Sequence, residues 1–194
     1  MPAHDPAHAS ASSHLDHERA AAGRDGIGFA IITLSDTRNE ATDASGSFLR
    51  QAVAESGHRN VLYRIVPDEA ATIREVLQAA IADDRVAVVV TNGSTGISAR
   101  DTAHEVLQGL ISKQLDGFGE LFRMLSYEEI GAAAMLSRAV GGVSGSTILF
   151  ALPGSTKAVQ LGMQKLILPQ VAHLVHELAK HSLPEESSPE NSRD

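Results

Sequence analysis

Two periodicities alternate along the chain. Ile27 to Thr33 is a short apolar run, Val61 to Val66 a second, and Val86 to Thr91 a third and the most apolar. Such runs suit strands, and Ile27 to Thr33 reads as one buried on both faces. Between them the spacing becomes helical. Ser47 to Ser56 sets Phe48, Leu49, Ala52 and Val53 on one face, and Gly57 can end that helix. Ala70 to Ala82 sets Ile73, Val76, Leu77, Ala80 and Ile81 on one face. Beyond Gly96 the pattern predicts a helix over Ala103 to Leu110. A longer one follows over Glu120 to Leu136, with Leu121, Met124, Leu125, Ile130 and Met135 as its apolar positions. Ala139 to Val143 and Thr147 to Leu152 read as strands, and Ser144-Gly145-Ser146 between them signals a hairpin turn. A last helix is expected from about Ser155 to Lys180, with a kink at Pro169.

Strand, helix, strand, helix, strand is the signature of a parallel α/β sheet covered on both faces, and the final strand pair makes the sheet mixed. The 194 residues favour one domain, placed at residues 26–181. Residues 1–25 and 182–194 lack an apolar pattern and read as disordered arms. His4, His8, His14 and His17 lie in the first arm, at spacings too irregular to argue for a metal site.

Composition narrows the function. The net charge of -8 argues against a protein that grips nucleic-acid backbones. No apolar run is long enough to span a membrane, and the N-terminus has no basic start ahead of an apolar core, so no secretory signal is expected. The chain has no cysteine, which excludes disulfides and thiolate metal sites and fits a cytoplasmic location.

Ligands in such folds sit beyond the carboxyl ends of the strands, where loops lead into helices. Four loops qualify. The loop after Val86–Thr91 reads Asn92-Gly93-Ser94-Thr95-Gly96. Its glycines let a ligand approach the backbone, and consecutive amides there can form an anion nest. It is equally the composition of a plain connector. Asp101 could cap the next helix or hold a Mg²⁺ that bridges to phosphates. Asp68, after the second strand, poses the same choice. Pro153-Gly154-Ser155 ends the last strand where a helix N-terminus would favour an anion. The first loop carries Ser35-Asp36-Thr37-Arg38 and Thr42-Asp43-Ala44-Ser45-Gly46, more hydrogen-bonding groups than one cap needs.

Taken in order, these segments resemble the MoaB/MogA family of molybdopterin-binding proteins, its MoaB branch most closely. The resemblance spans about Ile27 to Leu178. Its most specific stretch begins Asp116-Gly117-Phe118-Gly119-Glu120-Leu121-Phe122-Arg123, continues through Leu125-Ser126-Tyr127-Glu128-Glu129-Ile130-Gly131, and ends Ser137-Arg138-Ala139. It implies a three-layer α/β/α fold and assembly as a homotrimer or homohexamer. It implies molybdopterin, a pterin dithiolene with a terminal phosphate, as ligand. In active relatives that phosphate is adenylylated from Mg-ATP. On this resemblance Asp68 and Asp101 are the catalytic, Mg²⁺-associated residues. The ligand would be bound by Ser35, Asp36, Asn92, Gly93, Ser94, Thr95, Gly96, Pro153, Gly154 and Ser155, and other molybdenum cofactor biosynthesis proteins become candidate partners. The family's usual loop reads Thr-Gly-Gly-Thr-Gly, so Asn92 and Ser94 depart from it, and Ser94 adopts positive φ less freely than glycine. Two functions stay open: an adenylyltransferase, and a non-catalytic carrier or scaffold that binds molybdopterin.

Overall fold

The structure is a computed structural model, and it describes residues 26–180. The two expected arms and the four arm histidines lie outside the described residues. In chain order the elements are β1 (Gly28–Leu34), α1 (Ala44–Glu55), β2 (Arg59–Val66), α2 (Ala70–Ile81), β3 (Val88–Asn92), α3 (Ala103–Leu110), β4 (Lys113–Gln114), α4 (Asp116–Ile130), a 3₁₀ turn (Gly131–Leu136), β5 (Val140–Ser144), β6 (Thr147–Leu152), α5 (Thr156–Gly162), a π-helical segment (Met163–Ile167) and α6 (Leu168–Ala179).

The six strands form one sheet in the order β2-β1-β3-β6-β5-β4. β2, β1, β3 and β6 run parallel, while β5 is antiparallel to both of its neighbours. The sheet is therefore mixed, and β5 and β6 form the expected hairpin, turning at Gly145 with φ +59°. Alternating residues of β1 serve opposite faces. Phe29 and Ile31 join Leu49 and Val53 of α1, Phe122 of α4 and Val159 of α5 in one core. Ala30 and Ile32 join Ile73 and Leu77 of α2 and Leu107 of α3 in the other. Two cores divided by one sheet make three α/β/α layers. Among the described residues no helix is long and apolar enough to cross a membrane.

Two helices differ from the sequence pattern. The expected helix over 120–136 begins at Asp116, and its α-helical part stops at Ile130 because Gly131 takes φ +61°. Its buried face is also different. Phe118, Phe122 and Ser126 point inward, whereas Leu121 (46% exposed), Met124 (53%), Ile130 (57%) and Met135 (80%) face outward. The helix expected over 155–180 is present from Thr156 to Ala179, but its hydrogen-bond pattern changes through a π-helical segment just ahead of Pro169. Proline has no N–H and its ring presses on the carbonyl four residues back. The chain widens just before it, and Leu168 N–H bonds to Met163 O, five residues back. Smaller shifts are the earlier start of α1, at Ala44 instead of Ser47, and the start of β3 at Val88.

The sheet positions the candidate loops side by side. Thr33 lies opposite Asn92, Asn92 opposite Leu152, and Leu34 opposite Val66. The loops after β1, β2, β3 and β6 thus leave the sheet at one level on one edge. β1 separates β2 from β3, so the connections on its two sides diverge there and leave a crevice at the strand ends.

Candidate functional site

The loop after β3 is shaped by backbone contacts. Gly93 has φ +100°, and a Cβ on it would lie 2.3 Å from Leu34 O, so only glycine fits. Its N–H extends the ladder to Leu152 O at 3.0 Å, which removes one amide from the expected nest. The next residue, Ser94, has φ 54° and is the one non-glycine residue with positive φ among the described residues. Its hydroxyl explains why that conformation is tolerated. It accepts from Thr102 N (2.9 Å) and Ala103 N (3.1 Å), and it donates to Asp68 Oδ1. Ser94 therefore caps α3 from eight positions upstream.

The capping alternative fails for both Asp101 and Asp68. Asp101 does not cap α3; its Oδ2 accepts from Ser98 N at 2.9 Å. Asp68 does not cap α2, whose N-cap is Glu69 without a side-chain bond. Both carboxylates flank the Ser94 loop instead. A Cβ on Gly96 would lie 2.6 Å from Asp101 Oδ2, so the carboxylate packs directly on the loop backbone. Asp36 stands behind Asp68: its Oδ1 accepts from Asp68 N (3.0 Å), and its Oδ2 pairs with the exposed Arg100 at 2.7 Å.

The loop after β6 reaches the same place. Gly154 sits against Gly93, since a Cβ on it would lie 3.1 Å from Gly93 Cα. Ser155 caps α5 through Ala158 N at 3.3 Å. The Gly154 carbonyl takes two donors, Arg38 Nη2 at 3.0 Å and Ser45 Oγ at 3.1 Å. In the other loop, Arg138 Nη1 holds Gly96 O at 3.0 Å, and its Nη2 pairs with Glu105.

Between the loops is a cleft of about 390 Å³. Gly93, Ser94, Thr95, Gly96, Asp101, Pro153, Gly154 and Ser155 line one side, and Phe122, Ser126, Ile130, Leu136 and Ser137 line the other. Phe122 also belongs to the core on this side of the sheet, and neither Ser126 nor Ser137 carries a signal of its own in the sequence. The spacing of Phe118, Phe122 and Ser126 every four residues is the signal that would have turned this face of α4 inward. Ser35, Asp36, Asn92 and Asp68 do not line the cleft. Ser35 closes its own turn by accepting from Thr37 N and Arg38 N, and Asp68 touches the site through Ser94. Asn92 is fully buried and donates from Nδ2 to Thr33 Oγ1 at 2.9 Å. A larger cavity of about 660 Å³ lies between the start of α4 and α6, but it carries none of the glycine loops and is walled largely by Phe118, Leu121, Phe150, Leu166 and Leu174.

Beneath the cleft lies Asp43, 1% exposed. Its carboxylate caps α1 through Gly46 N (2.9 Å) and accepts from Thr33 Oγ1 (2.5 Å), Tyr63 Oη (2.8 Å) and Arg38 Nη1 (3.3 Å). Burial by itself would raise its pKa. The bonds from Thr33, Gly46 and Tyr63 and the Arg38 charge outweigh that and hold it below the usual carboxylate value. Burial and the neighbouring Asp43 carboxylate push the Tyr63 phenol up to about 12. Gly46 is needed here, because a Cβ would fall 2.1 Å from Asp43 Oδ2.

A family described as "Probable molybdopterin binding domain" matches residues 30–173, the stretch that contains the sheet and every cleft loop. The molybdenum cofactor biosynthesis protein B of Bacillus cereus is 49% identical over 149 residues, covering 76% of this chain and 88% of its own. The chain belongs to the molybdenum cofactor biosynthesis protein B family. A crystal structure of a molybdenum cofactor biosynthesis protein B superposes with a TM-score of 0.78 at 47% identity, covering 81% of this chain and 97% of that one. The tungsten cofactor synthesizing protein MoaB from Pyrococcus furiosus superposes at 0.70 with 36% identity, covering 80% and 99%.

Proposed function

We propose that this protein binds molybdopterin in the cleft between the loops after β3 and β6 and adenylylates its terminal phosphate from Mg-ATP. One observation carries the reading. Two glycine loops from adjacent parallel strands touch at Gly93 and Gly154, with Asp101 at their rim and Phe122 opposite. No backbone partner takes the N–H of Thr95 or Gly96 among the described residues, which leaves these amides for a phosphate. Ile130 and Leu136 offer apolar surface to a flat pterin.

Among the described residues no group of three or more His, Asp or Glu side chains is placed to hold a metal. Mg²⁺ is commonly held by one or two carboxylates together with substrate phosphates, and Asp68 and Asp101 are of that kind. Bound there, it would offset the charge that builds as two phosphates approach. The loop amides orient the molybdopterin phosphate, whose oxygen attacks the α-phosphorus of ATP while pyrophosphate departs. No covalent nucleophile is needed, and the chain has no cysteine.

A second reading is binding without turnover, as a carrier or scaffold. Ser94 favours it, because its hydroxyl already occupies one oxygen of Asp68. Incubation of the protein with molybdopterin, ATP and Mg²⁺, followed by product analysis, separates the two. Adenylylated molybdopterin and pyrophosphate are expected. Tight pterin binding without ATP consumption would replace the enzyme by the carrier.

The exposed face of α4 supports assembly as a homotrimer or homohexamer. Leu121 and Met124 on α4 and Met135 in the 3₁₀ turn after it are each more than 40% exposed, apolar side chains of a kind that a partner copy covers.

A further inference from the structure

Arg38 is absent from the cleft wall, yet it joins the two halves of the structure that form it. Its fork has one prong on Asp43 Oδ1 and the other on Gly154 O, 116 residues away. Asp43 is in turn bonded by Thr33, whose hydroxyl accepts from Asn92, the residue directly before the ligand loop after β3. Arg38 thus completes a continuous path from Asn92 through Thr33 and Asp43 to Gly154.

We propose that Arg38 is a positioning residue, which sets the Pro153–Ser155 turn against the Gly93–Gly96 loop by its geometry and not by its charge. The proposal rests on the reading that this cleft binds molybdopterin. Three observations carry it. A trans peptide sends its N–H opposite to its carbonyl, so fixing Gly154 O fixes the direction of Ser155 N–H at the cleft. The Arg38 charge already faces the Asp43 carboxylate, so the side chain is not a free cation awaiting an anion. And Asp43 keeps its bonds from Thr33, Gly46 and Tyr63 without Arg38, so the α1 cap does not depend on the guanidinium. A planar guanidinium can bond two acceptors in fixed directions, which a lysine ammonium at the end of a flexible stem does not reproduce.

The test compares Arg38→Lys, Arg38→Ala and the wild type as full chains. Molybdopterin affinity is measured by anaerobic titration, amide exchange is followed at residues 154–156, and stability is measured by urea unfolding. Lysine is expected to weaken binding roughly tenfold, as alanine does, which is the effect of losing one charge-assisted hydrogen bond. Exchange at 154–156 should accelerate in both variants, whereas the unfolding midpoint should fall in Arg38→Ala, which leaves buried Asp43 without its cation, and less in Arg38→Lys, so that faster exchange in Arg38→Lys reports on the turn itself. Wild-type affinity in Arg38→Lys would overturn the proposal, because charge alone would then suffice. Should the wild type itself not bind molybdopterin, the reading of the cleft falls. The exchange rates still decide the positioning role, and unchanged exchange in Arg38→Ala overturns it.

Discussion

Asp43 on one side, and Asp68 and Asp101 on the other, all occupy loops at the carboxyl edge of the sheet ahead of a helix, and the fold treats them in opposite ways. Asp43 is buried, and donors from Thr33, Gly46, Tyr63 and Arg38 fill its carboxylate. Asp68 receives one side-chain bond, from Ser94, and Asp101 receives one backbone bond, from Ser98. Neither caps the helix that follows it. A carboxylate whose lone pairs are all taken is part of the architecture. One that keeps lone pairs open beside a glycine loop has them free for a ligand.

The strongest way to break this comparison is to remove Asp43. Asp43→Ala strands the Tyr63 and Thr33 hydroxyls and the Gly46 N–H below the surface, at a cost of about 3–5 kcal/mol. Urea unfolding reads this directly, and a loss under about 1 kcal/mol would show that Asp43 is no hub. The same site has a pH signature. Its carboxylate pKa is lowered in the folded chain, so its stabilisation is present above the unfolded value near ~3.9 and disappears as pH falls through the lower folded value. Acid unfolding of Asp43→Asn should therefore lose part of the slope seen in the wild type below about pH 4.

Asp101→Ala should cost far less, within about 1 kcal/mol, because it frees one exposed amide. A loss as large as that of Asp43→Ala would erase the distinction drawn here. Smallest of all is Ser94→Gly. It gives up the α3 cap, a loss of about 1 kcal/mol, and relieves a positive φ of similar cost. Its unfolding midpoint should lie near the wild type, whereas Ser94→Ala, which keeps the strained φ without the cap, should be less stable than either.

Much of the fold was legible because strands buried on both faces leave apolar runs that polar loops interrupt. β1 follows from that, the β5–β6 hairpin from the Ser144-Gly145-Ser146 turn, and α3 from helical spacing. The face of α4 was not. Leu121, Met124 and Ile130 are as apolar as a core stripe, and a single sequence does not say whether an apolar stripe meets the sheet or another chain. The loops of the site were visible through their glycines and their position after strands. What joins them was not, since Arg38 and Gly154 are far apart in sequence and bond through a backbone carbonyl. Residue type also failed to separate Asp43 from Asp68 and Asp101, because each is an aspartate before a helix, and only the count of donors around each carboxylate tells them apart. The family resemblance supplied the ligand, which no spacing of residues names.

The most direct test of the open carboxylates is Asp68→Asn, assayed in parallel for molybdopterin binding and for adenylylated product with ATP and Mg²⁺. Asparagine keeps an oxygen for the Ser94 hydroxyl and removes the charge. The account predicts binding within a few-fold of the wild type and product formation reduced by at least ~100-fold, the scale of losing electrostatic stabilisation in phosphoryl transfer. Wild-type turnover in this variant, or loss of binding and turnover together, would contradict it.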